Sequence, residues 1–225
     1  MNRPESTDTM NATGQRTRLL LVDDHPIVVE GLAQLLRHEA DLDVQWIAAN
    51  VAEALDICRN EVPDLSIVDI SLGEDSGIEL IRTMRTLCPD MPILVMSMHE
   101  ESLYAPRALR AGARGYINKQ MAPRHVVAAI RQVRDGEIYL SAASRNPQAG
   151  NSTDPATLSV LSRLSDRELE VLQLIGKGMR KAEIAKRLGR SVNTVETHRS
   201  GIKKKLRFRS ASELARFAFL HFHKN

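Results

Sequence analysis

Five short apolar segments alternate with segments of helical periodicity over the first 138 residues of the chain. The apolar segments are RLLLVD (18–23), VQWIAA (44–49), LSIVD (65–69), ILVMS (93–97) and GYIN (115–118). They are continuously apolar, which is typical of parallel strands that helices cover on both faces. Helices are predicted near residues 26–39, 51–61, 76–88, 101–111 and 123–135. This order predicts an α/β domain over residues 18–138 with a doubly wound, five-stranded parallel sheet.

The pattern changes on either side of this domain. Residues 1–17 are polar and are expected to form a disordered tail. The segment from about 141 to 157 is small and polar, and a linker is expected over residues 139–157. Residues 158–225 contain four short helical segments, which predict a small all-α domain. Within it, Gly189 permits a tight turn and Ser191 is suited to cap the third helix.

The composition, with 43% hydrophobic and 26% charged residues over 225 positions, fits a globular protein and excludes disordered and collagen-like classes. No apolar run approaches the roughly 18 residues of a membrane helix, and the polar N-terminus contains no signal peptide pattern. We therefore expect a cytoplasmic protein without a membrane partner. Cys58 and Cys88 lie in predicted helices without a partner at metal-ligand spacing, so they are interpreted as ordinary thiols.

Charge is divided between the two domains. Residues 158–225 carry 16 Lys and Arg against 6 Asp and Glu, a net charge of +10, whereas residues 1–157 carry 15 against 22, a net charge of −7. A basic domain of this size indicates a polyanion partner, most simply double-stranded DNA. A solvated basic surface is the alternative on charge alone.

Polar residues follow four of the predicted strands. Asp23 and Asp24 end the first strand, Asp69 the third and Ser97 the fourth, and Lys119 follows the fifth. The carboxyl ends of parallel strands meet at one edge of the sheet, so these side chains should converge there. Three carboxylates repel one another unless a hard cation such as Mg²⁺ lies among them. With Mg²⁺ and an ammonium group to neutralise charge, a carboxylate can attack a phosphoryl group and form an acyl phosphate.

These residues resemble the receiver domains of two-component systems over residues 18–136. The resemblance rests on DD at 23–24, the spacing from Asp69 to Gly77, SMH at 97–99 and AGARGYINK at 111–119. It implies a flavodoxin-like fold in which Asp69 accepts a phosphoryl group from a sensor histidine kinase.

The same resemblance assigns the other pocket residues. Asp24 would bind Mg²⁺ directly with support from Asp23, and the main-chain carbonyl of Ser71 would complete the protein ligands together with Asp69. Lys119 would pair with the phosphoryl group. The Ser97 hydroxyl would move to bond a phosphoryl oxygen, and Tyr116 would turn inward to fill the vacated space.

The chain departs from many receiver domains at Gly73, where a proline is common four residues after the acceptor. The loop is therefore expected to be looser, and the acidic pair Glu74 and Asp75 follows it. His25 and His99 flank the pocket without a second histidine at ligand spacing, so both are interpreted as surface groups.

Residues 165–220 resemble the LuxR-type helix-turn-helix over their whole length. In the third helix, periodicity places Val192, Val195, Ile202 and Leu206 on one face. The resemblance implies base contacts by Glu196, Thr197 and Ser200 on the opposite face. The candidate DNA-contacting residues are Lys181, Asn193, Thr194, Glu196, Thr197, Arg199, Ser200, Lys203 and Lys204.

Other features of this domain bear on affinity and assembly. Lys205, Arg207 and Arg209 extend the predicted phosphate-binding cluster. Asn193 stands where many relatives have lysine, so one phosphate contact is expected to be missing. The last helix, from Ser210, resembles the one with which these domains form a homodimer on two DNA half-sites.

The leading hypothesis is a phosphorylation-gated transcription regulator of the NarL/FixJ type, not an enzyme, with RNA polymerase as a further partner. One alternative is an aspartyl-phosphate hydrolase, but such enzymes need a second acid two residues after the nucleophile, where this chain has Ser71. Another is a receiver that serves as a phosphate-independent docking domain. The sequence leaves open whether the unphosphorylated form is autoinhibited or merely monomeric.

Overall fold

The computed structural model describes residues 16–73, 75–121, 123–141 and 155–223. The chain divides into two compact units at residues 141 and 142. Most of the predicted tail and of the predicted linker lies outside the described residues.

The first unit is a five-stranded parallel sheet flanked by helices. The sheet order is β2-β1-β3-β6-β7, and a short antiparallel pair, β4 and β5, follows β3. The elements are β1 (Thr17–Val22), α1 (Pro26–Arg37), β2 (Leu42–Ala48), α2 (Val51–Asn60), β3 (Leu65–Val68), β4 (Ser71–Leu72), β5 (Asp75–Ser76), α3 (Gly77–Leu87), β6 (Ile93–Ser97), α4 (Glu101–Ala111), β7 (Gly115–Asn118) and α5 (Pro123–Arg134). The predicted doubly wound sheet is confirmed.

Apolar side chains cover both faces of this sheet. Leu19 and Leu21 of β1 belong to a core that α1 and α5 complete. Leu20 and Val22 alternate with them and are also buried, so the opposite face is covered as well. There α2 packs against α3, and α3 packs against α4. The buried strands hold their carboxyl ends in a fixed register, which is what positions the pocket.

The first unit extends beyond the boundary predicted at residue 138. Tyr139 is 8% exposed and belongs to the core. Its amide donates a hydrogen bond to the carbonyl of Arg114, and its carbonyl accepts one from the amide of Tyr116. Because these bonds extend the pairing at the edge of β7, residues 139–141 belong to the sheet unit and the predicted linker starts too early.

The second unit consists of helices joined by short turns. They are α6 (Pro155–Leu161), α7 (Asp166–Gly176), α8 (Lys181–Arg187), α9 (Val192–Leu206) and α10 (Ala211–Phe222). The first of these starts within the segment predicted to be linker. Leu169, Leu172, Ile184, Val195 and Ile202 form fully buried positions of the core. The small all-α domain is thus confirmed.

The turn between α8 and α9 forms as the sequence predicts. Gly189 has a φ of +63°, which favours glycine, and the Ser191 hydroxyl accepts a 3.0 Å hydrogen bond from the amide of Thr194. Val192, expected on the buried face, is instead 43% exposed, because the first position of α9 lies beyond the core. Among the described residues, no helix has the length and apolar character needed to cross a membrane.

Candidate functional site

The acidic pocket lies where the strand order reverses, at the carboxyl ends of β1 and β3. The amide of Asp69 donates a 2.9 Å hydrogen bond to the carbonyl of Val22, so the pairing of the two strands continues into the pocket. Asp23 and Asp69 are 6% and 4% exposed. Sheet register therefore places two carboxylates side by side in a largely dry site.

Lys119 bridges these two carboxylates. Its Nζ lies 2.6 Å from Oδ2 of Asp23 and 2.7 Å from Oδ2 of Asp69. The Lys119 amide donates a 2.9 Å hydrogen bond to the carbonyl of Ser97, which fixes the start of the side chain. Burial raises the pKa of the Asp69 carboxyl, and the Lys119 ammonium opposes that rise. The lysine thus offsets part of the cost of burying the Asp69 carboxylate.

The pocket also contains oxygen atoms suited to a cation. Ligand atoms of Asp23, Asp24, His25 and Asp69 all lie within 4.8 Å of one another. Oδ1 of Asp69 is buried and accepts no hydrogen bond from any described residue. A buried carboxylate oxygen without a donor needs another positive partner, and several carboxylates in one cradle fit a hard divalent ion. Ser71 begins β4, two residues after Asp69.

Two glycines shape the loop after Asp69. Gly73 has a φ of +48°, and its amide donates a 2.9 Å hydrogen bond to Oδ2 of Asp24, so the position without proline is tied to the pocket. Gly77 begins α3 so close to Asp69 that a Cβ atom would lie 2.1 Å from the Asp69 carbonyl oxygen. Gly73 lies between the two strands of the β4–β5 hairpin, which has no strand-like pattern in the sequence.

Ser97 and Tyr116 are both buried beside the acceptor. The Ser97 hydroxyl accepts a 3.2 Å hydrogen bond from the amide of His99. The Tyr116 hydroxyl donates a 3.0 Å hydrogen bond to the carbonyl of His99, and burial raises the pKa of Tyr116. The tyrosine therefore lies in the inward position that the receiver resemblance implies for the phosphorylated state.

Both histidines contact pocket residues: His25 is an exposed residue, as its interpretation as a surface group has it, whereas His99 is only partly exposed. Nε2 of His99 lies 2.8 Å from the Ser71 hydroxyl, and its ring stacks on Tyr104. His25 is exposed, but its Nδ1 lies 2.8 Å from Oδ1 of Asp24. Residues two apart on an extended chain point to the same side, so the spacing from Ser97 to His99 was the available signal.

The exposed face of α9 carries most of the predicted DNA contacts. Asn193, Thr197, Ser200 and Lys204 are exposed, and their spacing of four, three and four residues places them on one helical stripe. The remaining candidates on this helix are partly exposed and flank the stripe: Thr194, Glu196, Arg199 and Lys203. The structure thus brings the predicted polar groups and cations together on one face of α9 and its flanks.

An ion pair connects α8 with this helix. Nζ of Lys181 lies 2.9 Å from Oε2 of Glu196, and Arg199 lies 3.8 Å from the same oxygen. The hydrogen bond from Lys181 lowers the pKa of the Glu196 carboxyl. The arrangement keeps Glu196 ionised as a hydrogen-bond acceptor and holds Lys181 beside the helix.

Lys205 differs from the other cations of α9. Its Nζ lies 2.6 Å from Oε2 of Glu168, and that carboxylate also accepts a 2.7 Å hydrogen bond from the amide of Ser165. Burial raises the pKa of Glu168, but the interactions with Lys205 and Ser165 together outweigh this effect, and the pKa is lowered. Lys205 therefore ties α9 to α7, which favours a structural role for it over the predicted phosphate contact.

Comparisons with known proteins match both units to families of bacterial regulators. Residues 19–131 match the response regulator receiver domain, and residues 162–218 match the bacterial regulatory proteins of the luxR family. The transcriptional regulatory protein MctR of Rhizobium johnstonii is 32% identical over 92% of this chain and 94% of its own. The oxygen regulatory protein NreC of Staphylococcus aureus is 33% identical over 89% of this chain and 96% of its own.

A solved structure shows the same fold. It is that of RcsB from Salmonella enterica serovar Typhimurium, bound to promoter DNA in the presence of phosphomimetic BeF₃⁻. It superposes with a TM-score of 0.56 at 23% identity and covers 91% of this chain and 99% of its own.

Proposed function

The chain belongs to the bacterial response regulators that join a receiver domain to a LuxR-family DNA-binding domain, and from this premise we propose that phosphorylation of Asp69 controls its dimerisation and its binding to promoter DNA. The observation that carries the proposal is the contact between the buried Asp69 carboxylate and Lys119 at 2.7 Å. A sensor histidine kinase is the proposed phosphoryl donor.

In the proposed reaction a carboxylate oxygen of Asp69 forms a bond to the phosphorus of a phosphohistidine. The bond from phosphorus to the histidine nitrogen breaks, and that nitrogen keeps the electron pair and takes up a proton from solvent. Lys119 lies close enough to neutralise charge on the transferred oxygens. Ser97 at the end of β6 would donate its hydroxyl to a phosphoryl oxygen, with Tyr116 packed behind it.

We propose Mg²⁺ as the cation of this pocket. The fit rests on the buried Oδ1 of Asp69, which accepts no hydrogen bond from the described residues, and on the neighbouring Asp23 and Asp24 carboxylates. The main-chain carbonyl of Ser71 is the proposed additional ligand. When bound, the ion would supply positive charge opposite the transferred phosphoryl group.

The second unit is proposed to place α9 in the major groove of DNA. Glu196, Thr197 and Ser200 would address base edges, and Lys181 and Lys204 would contact phosphates. The remaining proposed contacts are Asn193, Thr194, Arg199 and Lys203. This assignment follows the exposed stripe of α9 and its flanks. The chromosome is then the site of action, which places the protein in the cytoplasm.

A homodimer is proposed for the phosphorylated or DNA-bound state. Phe219 and Leu220 of α10 are 50% and 72% exposed, which suits a helix that packs against a second copy. One structure with the same fold, RcsB, was solved bound to promoter DNA. When a dimer holds two DNA-binding units together, binding of one unit to its half-site raises the effective concentration of the other at the second half-site, so the pair binds more tightly. RNA polymerase is proposed as the partner at the promoter.

The experiment that tests the phosphoacceptor is chemical. The full chain is treated with acetyl phosphate and Mg²⁺, and the modified residue is located by mass spectrometry after reductive trapping of the acyl phosphate. In wild type the reduction should convert residue 69 alone to homoserine with release of orthophosphate, and Asp69→Asn should show no converted residue. Modification of another residue, or equal modification of both proteins, would overturn the proposal.

A further inference from the structure

The two cysteines of the chain meet in the first unit. Cys58 lies near the end of α2, and Cys88 directly follows α3. The Cys88 thiol donates a hydrogen bond to the main-chain carbonyl of Cys58, with 3.4 Å between sulfur and oxygen. Burial is the main cause that raises the pKa of the Cys58 thiol to about 12, and a hydrogen bond with the Cys88 thiol adds to it. The packing of α2 against α3 thus pairs two thiols that are 30 positions apart in the chain.

The two thiols differ in their access to solvent. Cys58 is 6% exposed, whereas Cys88 is partly exposed and is flanked by the exposed residues Leu87 and Pro89. A small oxidant in solution can therefore reach Cys88 first. A disulfide forms when two sulfur atoms approach to about 2.0 Å, so thiols that already interact need only a local adjustment of their side chains.

We propose that Cys58 and Cys88 form a reversible oxidation site, at which a peroxide converts the two thiols to a disulfide that clamps α2 to the end of α3. Disulfides in the cytoplasm are usually transient and redox-sensing, and thiol reductants of the cell reverse them. The proposal goes beyond the proposed function and does not depend on phosphorylation of Asp69. We use the word clamp below for this disulfide alone.

The oxidation takes two steps. The Cys88 thiolate sulfur forms a bond to one peroxide oxygen, the O–O bond breaks, and the departing oxygen keeps the electron pair and takes up a proton. This step leaves a sulfenic acid on Cys88. The Cys58 sulfur then forms a bond to the Cys88 sulfur, and the S–O bond breaks. The departing hydroxide takes the proton of the Cys58 thiol and leaves as water.

The oxidation is balanced without a further reactant. Two thiols and one hydrogen peroxide yield one disulfide and two water molecules, and the two electrons that the sulfur atoms lose reduce the peroxide. Because burial raises the pKa of Cys58, its thiolate is scarce at neutral pH. Cys88 is therefore the thiol that attacks the peroxide, and Cys58 is the one that completes the disulfide.

The cysteine pair lies at the opposite edge of the sheet from the acidic pocket. The helix α2 precedes β3, and α3 precedes β6, so both cysteines lie before the start of their next strand. Asp69 instead follows the end of β3. The clamp should therefore stabilise the first unit without changing the chemistry at Asp69. It stabilises by closing a loop between residues 30 positions apart, which restricts the unfolded chain.

The test combines peptide mapping with thermal unfolding. The full chain is reduced, freed of reductant, treated with hydrogen peroxide and digested without reduction for mass spectrometry. Wild type should yield a peptide pair joined through Cys58 and Cys88 that is two hydrogen atoms lighter than the separate peptides. The thermal midpoint of the first unit, followed by calorimetry, should rise by about 4 °C or more and should return when dithiothreitol is added.

Two variants serve as matched controls. Cys88→Ser and Cys58→Ser should each give no linked peptide and no rise in the thermal midpoint under the same treatment. They also control for oxidation of methionine, which peroxide can cause in all three proteins. Cys88→Ser changes a partly exposed residue, so it tests the clamp even where Cys58→Ser weakens the fold.

The outcomes separate the clamp from the proposed function. Wild type in which both cysteines stay reduced, or in which Cys88 is joined to a second chain or oxidised to a sulfinic acid, overturns the clamp. A linked peptide pair without a rise in the thermal midpoint overturns it as well. Phosphorylation by acetyl phosphate and Mg²⁺ should proceed at the same rate before and after oxidation. If Asp69 is not phosphorylated in either state while the linked peptide forms, the proposed function falls and the clamp stands.

Discussion

The Cα atom of Gly77 lies against the main chain of Asp69, so that a Cβ atom built on Gly77 would stand 2.1 Å from the Asp69 carbonyl oxygen and 2.7 Å from Cα of Ile70. These neighbours are backbone atoms and cannot move aside as a flexible side chain does. The first turn of α3 therefore packs directly against the loop that carries the acceptor.

Gly77→Ala should destabilise the receiver unit by about 2 kcal/mol or more, because the methyl group forces the acceptor loop and α3 apart. The measurement is urea unfolding of the full chain. Gly31→Ala is the matched control, since a Cβ there meets nothing within 4 Å and alanine favours the helix. Equal effects of the two substitutions would show that the close contact is unimportant.

Lys119→Met should lower the initial rate of phosphorylation by acetyl phosphate about 100-fold, because it removes a charge preorganised opposite the transferred oxygens. Lys119→Arg should also be impaired, since a guanidinium is larger and the lysine side chain is 7% exposed. Lys177→Met, in the second unit, is the control. A Lys119→Met protein that is phosphorylated at the wild-type rate would remove the lysine from the proposed chemistry.

Mg²⁺ should raise the thermal stability of the wild-type protein, because an ion that binds only the folded state stabilises it, by about 2.7 kcal/mol at a 100-fold excess over its dissociation constant. Asp24→Asn should lose most of this rise in stability, since it removes one carboxylate from the cluster of Asp23, Asp24 and Asp69. Asp43 lies outside this carboxylate cluster, so Asp43→Asn should keep the rise in stability. The same rise in all three proteins would place the ion elsewhere.

Two neighbouring lysines of α9 should differ in their effect on DNA binding. Lys204→Ala should lower the slope of log affinity against log salt concentration by about 1, as expected for one lost phosphate contact. Lys205→Ala should leave that slope unchanged and destabilise the DNA-binding unit, because Lys205 pairs with Glu168. Fluorescence anisotropy over a salt series and thermal unfolding measure the two effects, and the opposite pattern would contradict the assignment.

Asp41 provides a test of pH dependence. Arg131 is the main cause that lowers the pKa of Asp41 to about 2, with Arg134 adding to it. A carboxyl group whose pKa is lower in the folded state than in the unfolded state stabilises the fold. This stabilisation is fully present above the unfolded-state pKa of about 4 and is lost as the pH falls toward the folded-state pKa of about 2. Asp41→Asn should therefore cost about 1 to 2 kcal/mol near neutral pH.

The difference in unfolding free energy between wild type and Asp41→Asn should narrow as the pH falls through that window. Denaturant unfolding at several pH values measures it, with the exposed Glu30→Gln as control. A difference that stays constant down to about pH 3 would mean that the pairing with Arg131 does not carry the effect.

The sequence was sufficient to predict the sheet and the groups at its edge. Asp24, Asp69, Ser97 and Lys119 all stand at or just beyond the carboxyl ends of apolar strands, and parallel strands bring those ends together whatever the loops do. Periodicity also separated the buried Val195 and Ile202 from the exposed stripe of α9. These predictions depend on regular geometry alone.

The remaining features depend on irregular geometry. The contact between Ser71 and His99 joins residues 28 positions apart through two loops, one of which contains a hairpin without a strand-like pattern. Lys205 has the same residue type as Lys204, and only the position of Glu168 on another helix separates their roles. Tyr139 follows the last helix of the first unit in a segment too short to show a strand pattern, yet it pairs with the edge strand β7.

The central claim is that the state of Asp69 controls DNA binding. The most direct measurement is the affinity of the full chain for a promoter fragment from its own locus, with and without acetyl phosphate and Mg²⁺, for wild type and for Asp69→Ala. We predict that the phosphodonor tightens binding of wild type at least about fivefold and leaves Asp69→Ala unchanged. Equal affinity in all four conditions would contradict the account and reduce the receiver to a docking domain.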